Sequence, residues 1–173
     1  KTLTIKNEEG EEGEGLTTTF DPNFALNIIA GGHLYISSMI IAGATDGNNY
    51  FPLQCSAGQL SITGTTISGM TKSAIYVNGG AVELNGTTIT ECSAEIGGAI
   101  RIDAGSANVH SSSSITSNSA EYCGGISVEK GASLSIADSS IADNQATQRA
   151  GGIGSYSSSD QGTISISGKV VIP

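Results

Sequence analysis

Apolar and polar residues alternate along this chain in short runs, and the runs return in the same order from one stretch to the next. The recurrence is clearest between residues 75 and 153. Val82-Glu83-Leu84 is followed by Ile89, Leu134-Ser135-Ile136 by Ile141, and Ala107-Asn108-Val109 by Ile115 after one extra residue. Each copy then crosses a polar segment to a glycine pair: Gly97-Gly98, Gly124-Gly125 or Gly151-Gly152. Another alternating stretch follows each pair: Ala99-Ile100-Arg101-Ile102, Ile126-Ser127-Val128 and Ile153-Gly154-Ser155. Alternation at period two, rich in β-branched residues and punctuated by Gly, Ser, Asn and Asp, predicts strands with one buried face. No run carries the i, i+3, i+4, i+7 spacing of a helix. A unit of about two dozen residues that recurs in register is the mark of a solenoid.

Three short strands per copy suit a coil that stacks on the next coil. Inward Ile, Val and Leu then form ladders along the axis, and neighbouring coils pair as parallel sheets. One column runs through Leu34, Leu60, Val82, Ala107, Leu134 and Ile164, and a glycine precedes each: Gly32, Gly58, Gly80, Gly105, Gly131 and Gly162. Glycine at such corners supplies positive φ or close approach. The pattern extends back to Leu3 and Ile5 and forward to Ile166 and Val171. The prediction is an all-β, right-handed parallel β-helix of the pectin-lyase-like solenoid type, with about seven coils. Its hand follows from the general preference for right-handed crossovers. Residues 1–173 form a single segment, in which 1–25 make an irregular first coil with an acidic loop and 26–173 the regular coils.

Gly97-Gly98-Ala99-Ile100 resembles the Gly-Gly-Ala-(Ile/Leu/Val) motif of polymorphic outer-membrane proteins, whose repeats form autotransporter passengers. Ile115-Thr116-Ser117-Asn118 and Ile141-Ala142-Asp143-Asn144 are similar to that family's Phe-x-x-Asn motif, with Ile for Phe. Related Gly-Gly-rich repeats occur in other bacterial and protist surface proteins. The resemblance implies a β-helix exposed at a cell surface or secreted, acting as a stalk or adhesin. Its partners would be a host-cell or matrix protein or glycan, and neighbouring β-helix coils of the same or another chain.

Composition narrows the field. Only 5% of residues are aromatic and 24 are glycine, so no large globular core can be filled. A net charge of −9 with 7 Lys+Arg argues against nucleic acid or an anionic membrane as partner. No apolar stretch is long enough to insert in a bilayer as a helix. The glutamate-rich run at 7–15 reads as a solvated loop, without the Asp-x-Asp pattern of a calcium site. Phe20, Pro22 and Phe24 are expected to plug the open end of the first coil. The other end has no comparable cap, which leads to the expectation that the solenoid continues beyond Pro173 or packs there on another copy.

Candidate chemistry is sparse, and neither a catalytic group nor a cofactor or metal site is expected. Cys55 takes an inward strand position, Cys92 the position of Asn118 and Asn144, and Cys123 that of Ile96 and Ala150. All three read as buried thiols, and the different columns of Cys92 and Cys123 argue against a disulfide. Asn118 and Asn144 read as a ladder that bonds the bend backbone. His33 and His110 lie apart, with no third ligand. A carbohydrate-binding or carbohydrate-cleaving β-helix is the alternative reading, since pectin-degrading members carry clustered carboxylates or Asp with Arg and Lys on an outer face. Arg101, Asp103 and Glu83 form the one charged cluster here, without a second carboxylate on a neighbouring coil at that face. Tyr35 and Tyr76 could stack on sugar rings. Possible glycan contacts are therefore Tyr35, Tyr76, Glu83, Arg101 and Asp103. A third reading, an ice-binding face, rests on Thr66/Ser68, Thr88/Thr90, Ser114/Thr116 and Ser140/Ala142, where threonine soon decays to serine.

Overall fold

The fold was described from a computed structural model, which defines residues 2–6, 16–19, 26–43, 51–157 and 161–172, with side-chain detail from residue 26 onward. The acidic run at 7–15, Phe20, Pro22, Phe24 and the loop 44–50 lie outside the described residues.

Among the described residues all regular structure is β, and the strands pair in parallel throughout, with one isolated antiparallel bridge between Glu129 and Gln161. About five complete turns stack along one axis, with an incomplete turn at each end. Leu26–Ile28, His33–Ser37 and Met39–Ala42 make one such turn; Leu53–Cys55, Gln59–Thr63 and Thr66–Ser68 make the next. Farther along, the first two strands of a turn merge into single bent strands, Ile75–Asn85 and Ile100–His110. The seven turns expected from the sequence therefore include the two incomplete ones. A further sheet of Ser93–Ile96, Ser119–Tyr122 and Gln145–Ala146 closes the coils on the remaining side.

The apolar columns pair as the alternation requires. Leu34, Leu60, Val82, Ala107, Leu134 and Ile164 stand in register from coil to coil. So do Ile41, Ile67, Ile89, Ile115 and Ile141. The last two columns differ in their ends. Val171 does not continue the isoleucine column: it bridges Ser140, and it is exposed together with Ile164, Ile166 and Ile172.

Two polar ladders hold the bends. At one, Asn118 Nδ2 donates to the carbonyls of Ile89 and Thr116, both at 3.0 Å, while its Oδ1 accepts from Cys92 N–H. Asn144 repeats the pattern one coil on, accepting from Asn118 N–H and donating to Ile115 C=O at 2.9 Å. At the other, Thr65, Thr87, Ser113 and Ser139 are buried, and each hydroxyl donates to a bend carbonyl. This hydroxyl ladder is not apparent in the sequence. Asn118→Ala would leave a buried N–H and two carbonyls without partners, and is expected to cost roughly 1–3 kcal/mol in chemical denaturation.

Gly105 shows why the corner between the first two strands is glycine. It sits at φ +89°, and a Cβ there would lie 2.2 Å from Gly80 O. The register of the glycine pairs differs from the simple alignment. Ile96 pairs with Tyr122 and Ile100 with Ile126, so Gly97 lies opposite Cys123 and Gly98 opposite Gly124. Cys123 accordingly takes a left-handed conformation, φ 57° beside 60° at Gly97, and not the position of Ile96.

Candidate functional site

The outer face of the first strands carries Asn27, Gln54, Tyr76, Arg101, Ser127 and Gly154, one per coil and in register. At its centre Arg101 and Asp103 form a two-pronged pair, Nε to Oδ1 and Nη2 to Oδ2, each at 2.8 Å. The Tyr76 hydroxyl, one coil earlier, donates to Asp103 Oδ2 at 2.9 Å. Burial and this acidic neighbour push the Tyr76 phenol up. Burial alone would lower the Arg101 pKa, but the Asp103 carboxylate more than offsets it and holds the guanidinium charged. Phe51, from the coil before, stacks on the Tyr76 ring at 4.3 Å between centroids, and the Arg101 guanidinium lies 5.5 Å from the same ring. Of the residues read as glycan contacts, Tyr76, Arg101 and Asp103 thus come together, yet mainly to satisfy one another.

A second carboxylate does stand on the neighbouring coil. Glu129 follows Val128 as Asp103 follows Ile102, and its N–H bonds Ile102 O. The side chain is only 9% exposed. It accepts from Ser127 Oγ at 2.5 Å, Ser155 Oγ at 2.9 Å, and the N–H groups of Tyr156 and Ser157 at 2.9 and 3.3 Å. Burial pushes the carboxyl pKa up, but these four donors outweigh it and hold the group below the usual range. Ser127, Ser155 and Cys123 are buried with it outside the apolar ladder, with Cys123 Sγ against Gly154. Nothing in the local pattern around Glu129 marks it; three of its four donors come from the following coil, and two of those are main-chain groups.

Glu83 belongs to a different face. The bulge around Ala104 and Gly105 turns the chain at the corner, so Glu83 and Arg101 occupy successive sides of the coil. On this second face one outward column runs through Tyr35, Ser61, Glu83, Asn108, Ser135 and Ser165. Asn108 Nδ2 donates to Glu83 Oε2 at 3.0 Å, and His110 Nε2 pairs with Glu83 Oε1. His110 Nδ1 meets Ser111 Oγ at 2.8 Å. The partner of His110 is therefore this glutamate one coil away. Tyr35 is 43% exposed, with the His33 ring alongside at 6.5 Å. Between the two ends of the column a groove of about 180 Å³ is lined by Gln59, Ser61, Ala81 and Glu83, with Leu60 and Val82 at its floor.

The third face presents the hydroxyl pairs Thr66/Ser68, Thr88/Thr90 and Ser114/Thr116 on half-buried positions. The cysteines are free and buried. Burial pushes the Cys92 thiol up to about 11 and raises Cys55 and Cys123 as well, so all three stay protonated at neutral pH. Among the described residues no group of three or more His, Cys, Asp and Glu is placed to hold a metal ion.

These features define a parallel β-solenoid with three polar faces. The model of the right-handed β-helix region family matches residues 24–172, and the chain belongs to that family. No curated protein and no solved structure matches it significantly.

Proposed function

We propose that the chain is a non-catalytic β-helix segment of a secreted or cell-surface protein, serving as a stalk or adhesin. The observation that carries this reading is the state of the outward carboxylates. Asp103 is engaged by Arg101 and Tyr76, Glu129 by four donors, and Glu83 by His110 and Asn108. A general acid or base must be poised to exchange a proton with substrate. Here Asp103 is already bonded by Arg101 and Tyr76, and Glu129 is held ionised by its four donors. The Gly-Gly-Ala-Ile and Ile-x-x-Asn motifs add support, because autotransporter-type passengers use such repeats for display. Asn118 and Asn144 fill the structural role that this layout requires.

Antibody labelling of intact cells of the source organism tests display; signal is expected without permeabilisation, and signal only after permeabilisation would refute it. For the absence of catalysis, the purified chain should release no product from polygalacturonate or other acidic glycans. Turnover that Arg101→Ala abolishes would replace this reading with a carbohydrate-cleaving β-helix.

A further inference from the structure

We infer that the outer face of the second strands, from Tyr35 to His110, binds a neutral, extended polysaccharide laid along the solenoid axis. This rests on the adhesin reading and gives it a ligand class. The first-strand face is a poor competitor, because the Tyr76 ring is packed between Phe51 and Arg101 and its hydroxyl is spent on Asp103. Tyr35 differs: it stands 43% exposed, and the neighbouring residue in its column is the small Ser61. An exposed ring on a flat sheet offers the apolar platform on which a sugar ring stacks.

Beyond Tyr35 the column supplies polar groups at coil intervals. Ser61 and Glu83 line the groove of about 180 Å³, and Asn108 follows. A carboxylate has about four acceptor sites, and Asn108 and His110 take two at Glu83, whose side chain remains 44% exposed. The Asn108 amide keeps its Oδ1 outside its bond to Glu83. These partners already hold each other in place, which lowers the ordering cost of binding. Adjacent coils are about 4.8 Å apart, close to the length of one pyranose unit, so successive sugars would each meet one outward side chain of the column.

Charge and composition select among ligands. With net charge −9 and the carboxylate of Glu83 at its centre, the face repels polyanions. A protein partner would need a desolvated apolar centre, whereas this face carries the Tyr35 ring and two imidazoles among hydroxyl, amide and carboxylate groups. Neutral polysaccharide fits both conditions.

The test is affinity electrophoresis of the 173-residue chain through gels containing xyloglucan, mixed-linkage β-glucan, galactomannan or dextran, with polygalacturonate as the acidic comparison. At least one neutral polymer should retard the chain and polygalacturonate should not. Tyr35→Ala should weaken that retardation by about tenfold or more at unchanged melting temperature. Glu83→Gln provides a second, nearly isosteric variant and should also weaken it, whereas Tyr76→Phe should not. Absence of retardation by all four neutral polymers overturns the inference, as does retardation that survives both Tyr35→Ala and Glu83→Gln. Surface labelling of intact cells is scored separately, so loss of the glycan site leaves display standing, and failed labelling with intact binding removes display alone.

Discussion

Ile115→Asp is expected to abolish folding of this chain. Ile115 is fully buried, and its column neighbours are Ile89 on one coil and Ile141 on the next. No cation stands within that column to pair with a carboxylate, and a charge enclosed by aliphatic side chains has neither water nor a hydrogen-bond donor to stabilise it. Protonation would remove the charge but leave a buried polar group between two apolar layers. A solenoid magnifies the damage: each coil is supported only by its neighbours, so a broken central layer separates the two halves of the stack. Ile115→Ala keeps the layer apolar and should cost roughly 2–5 kcal/mol, the lost transfer energy plus the cavity. Ile166→Asp is the control. Ile166 alternates inward by sequence, but it is 54% exposed, so the change should stay within about 0.5 kcal/mol. Circular dichroism melts of the three variants check the order. Equal melting temperatures for Ile115→Asp and wild type would contradict the column.

That column was legible because its cause is local. A strand with one buried face must alternate, and a stacked coil must repeat the alternation at nearly constant spacing, so Leu34 through Ile164 and Ile41 through Ile141 align by inspection. Asn118 and Asn144 were legible for the same reason, recurring at one bend. What escaped depends on where the chain turns between strands. Counting from the glycine pairs sets Cys123 level with Ile96, but the pairing of Ile100 with Ile126 moves Cys123 opposite Gly97. The left-handed bend tolerates a cysteine there only because a strand fixes it on each side. Glu83 and Arg101 read as neighbours until the bulge at Gly105 sends them to different faces. Nothing in the sequence marks Thr65, Thr87, Ser113 and Ser139 as buried, since serine and threonine at a bend have the same pattern inside or outside.

Glu129 is the least legible of these residues and carries the second large expectation. Glu129→Ala would remove the acceptor of the Ser127 hydroxyl and the Tyr156 N–H, and one of the contacts of Ser155 and Ser157, at a largely buried site. The expected loss is roughly 2–5 kcal/mol, with residues 155–157 released from the sheet face. The same contacts set a pH dependence. The carboxyl pKa is lowered in the folded chain from its ordinary value of 4.5, so the folded state favours the ionised form. Its contribution is therefore complete above the unfolded value and is lost as pH falls through the lower folded value; stability binds it to neutral and mildly acidic conditions. Arg101 shares the face and its charge adds attraction to the ionised form. Many other carboxylates titrate in the same range, so the informative quantity is the difference between wild type and Glu129→Gln. Urea denaturation at a series of pH values should give a gap that is constant above about pH 5 and closes on further acidification. A gap that stays constant down to full protonation would mean that the Glu129 charge contributes nothing and that only the shape of the side chain supports the loop.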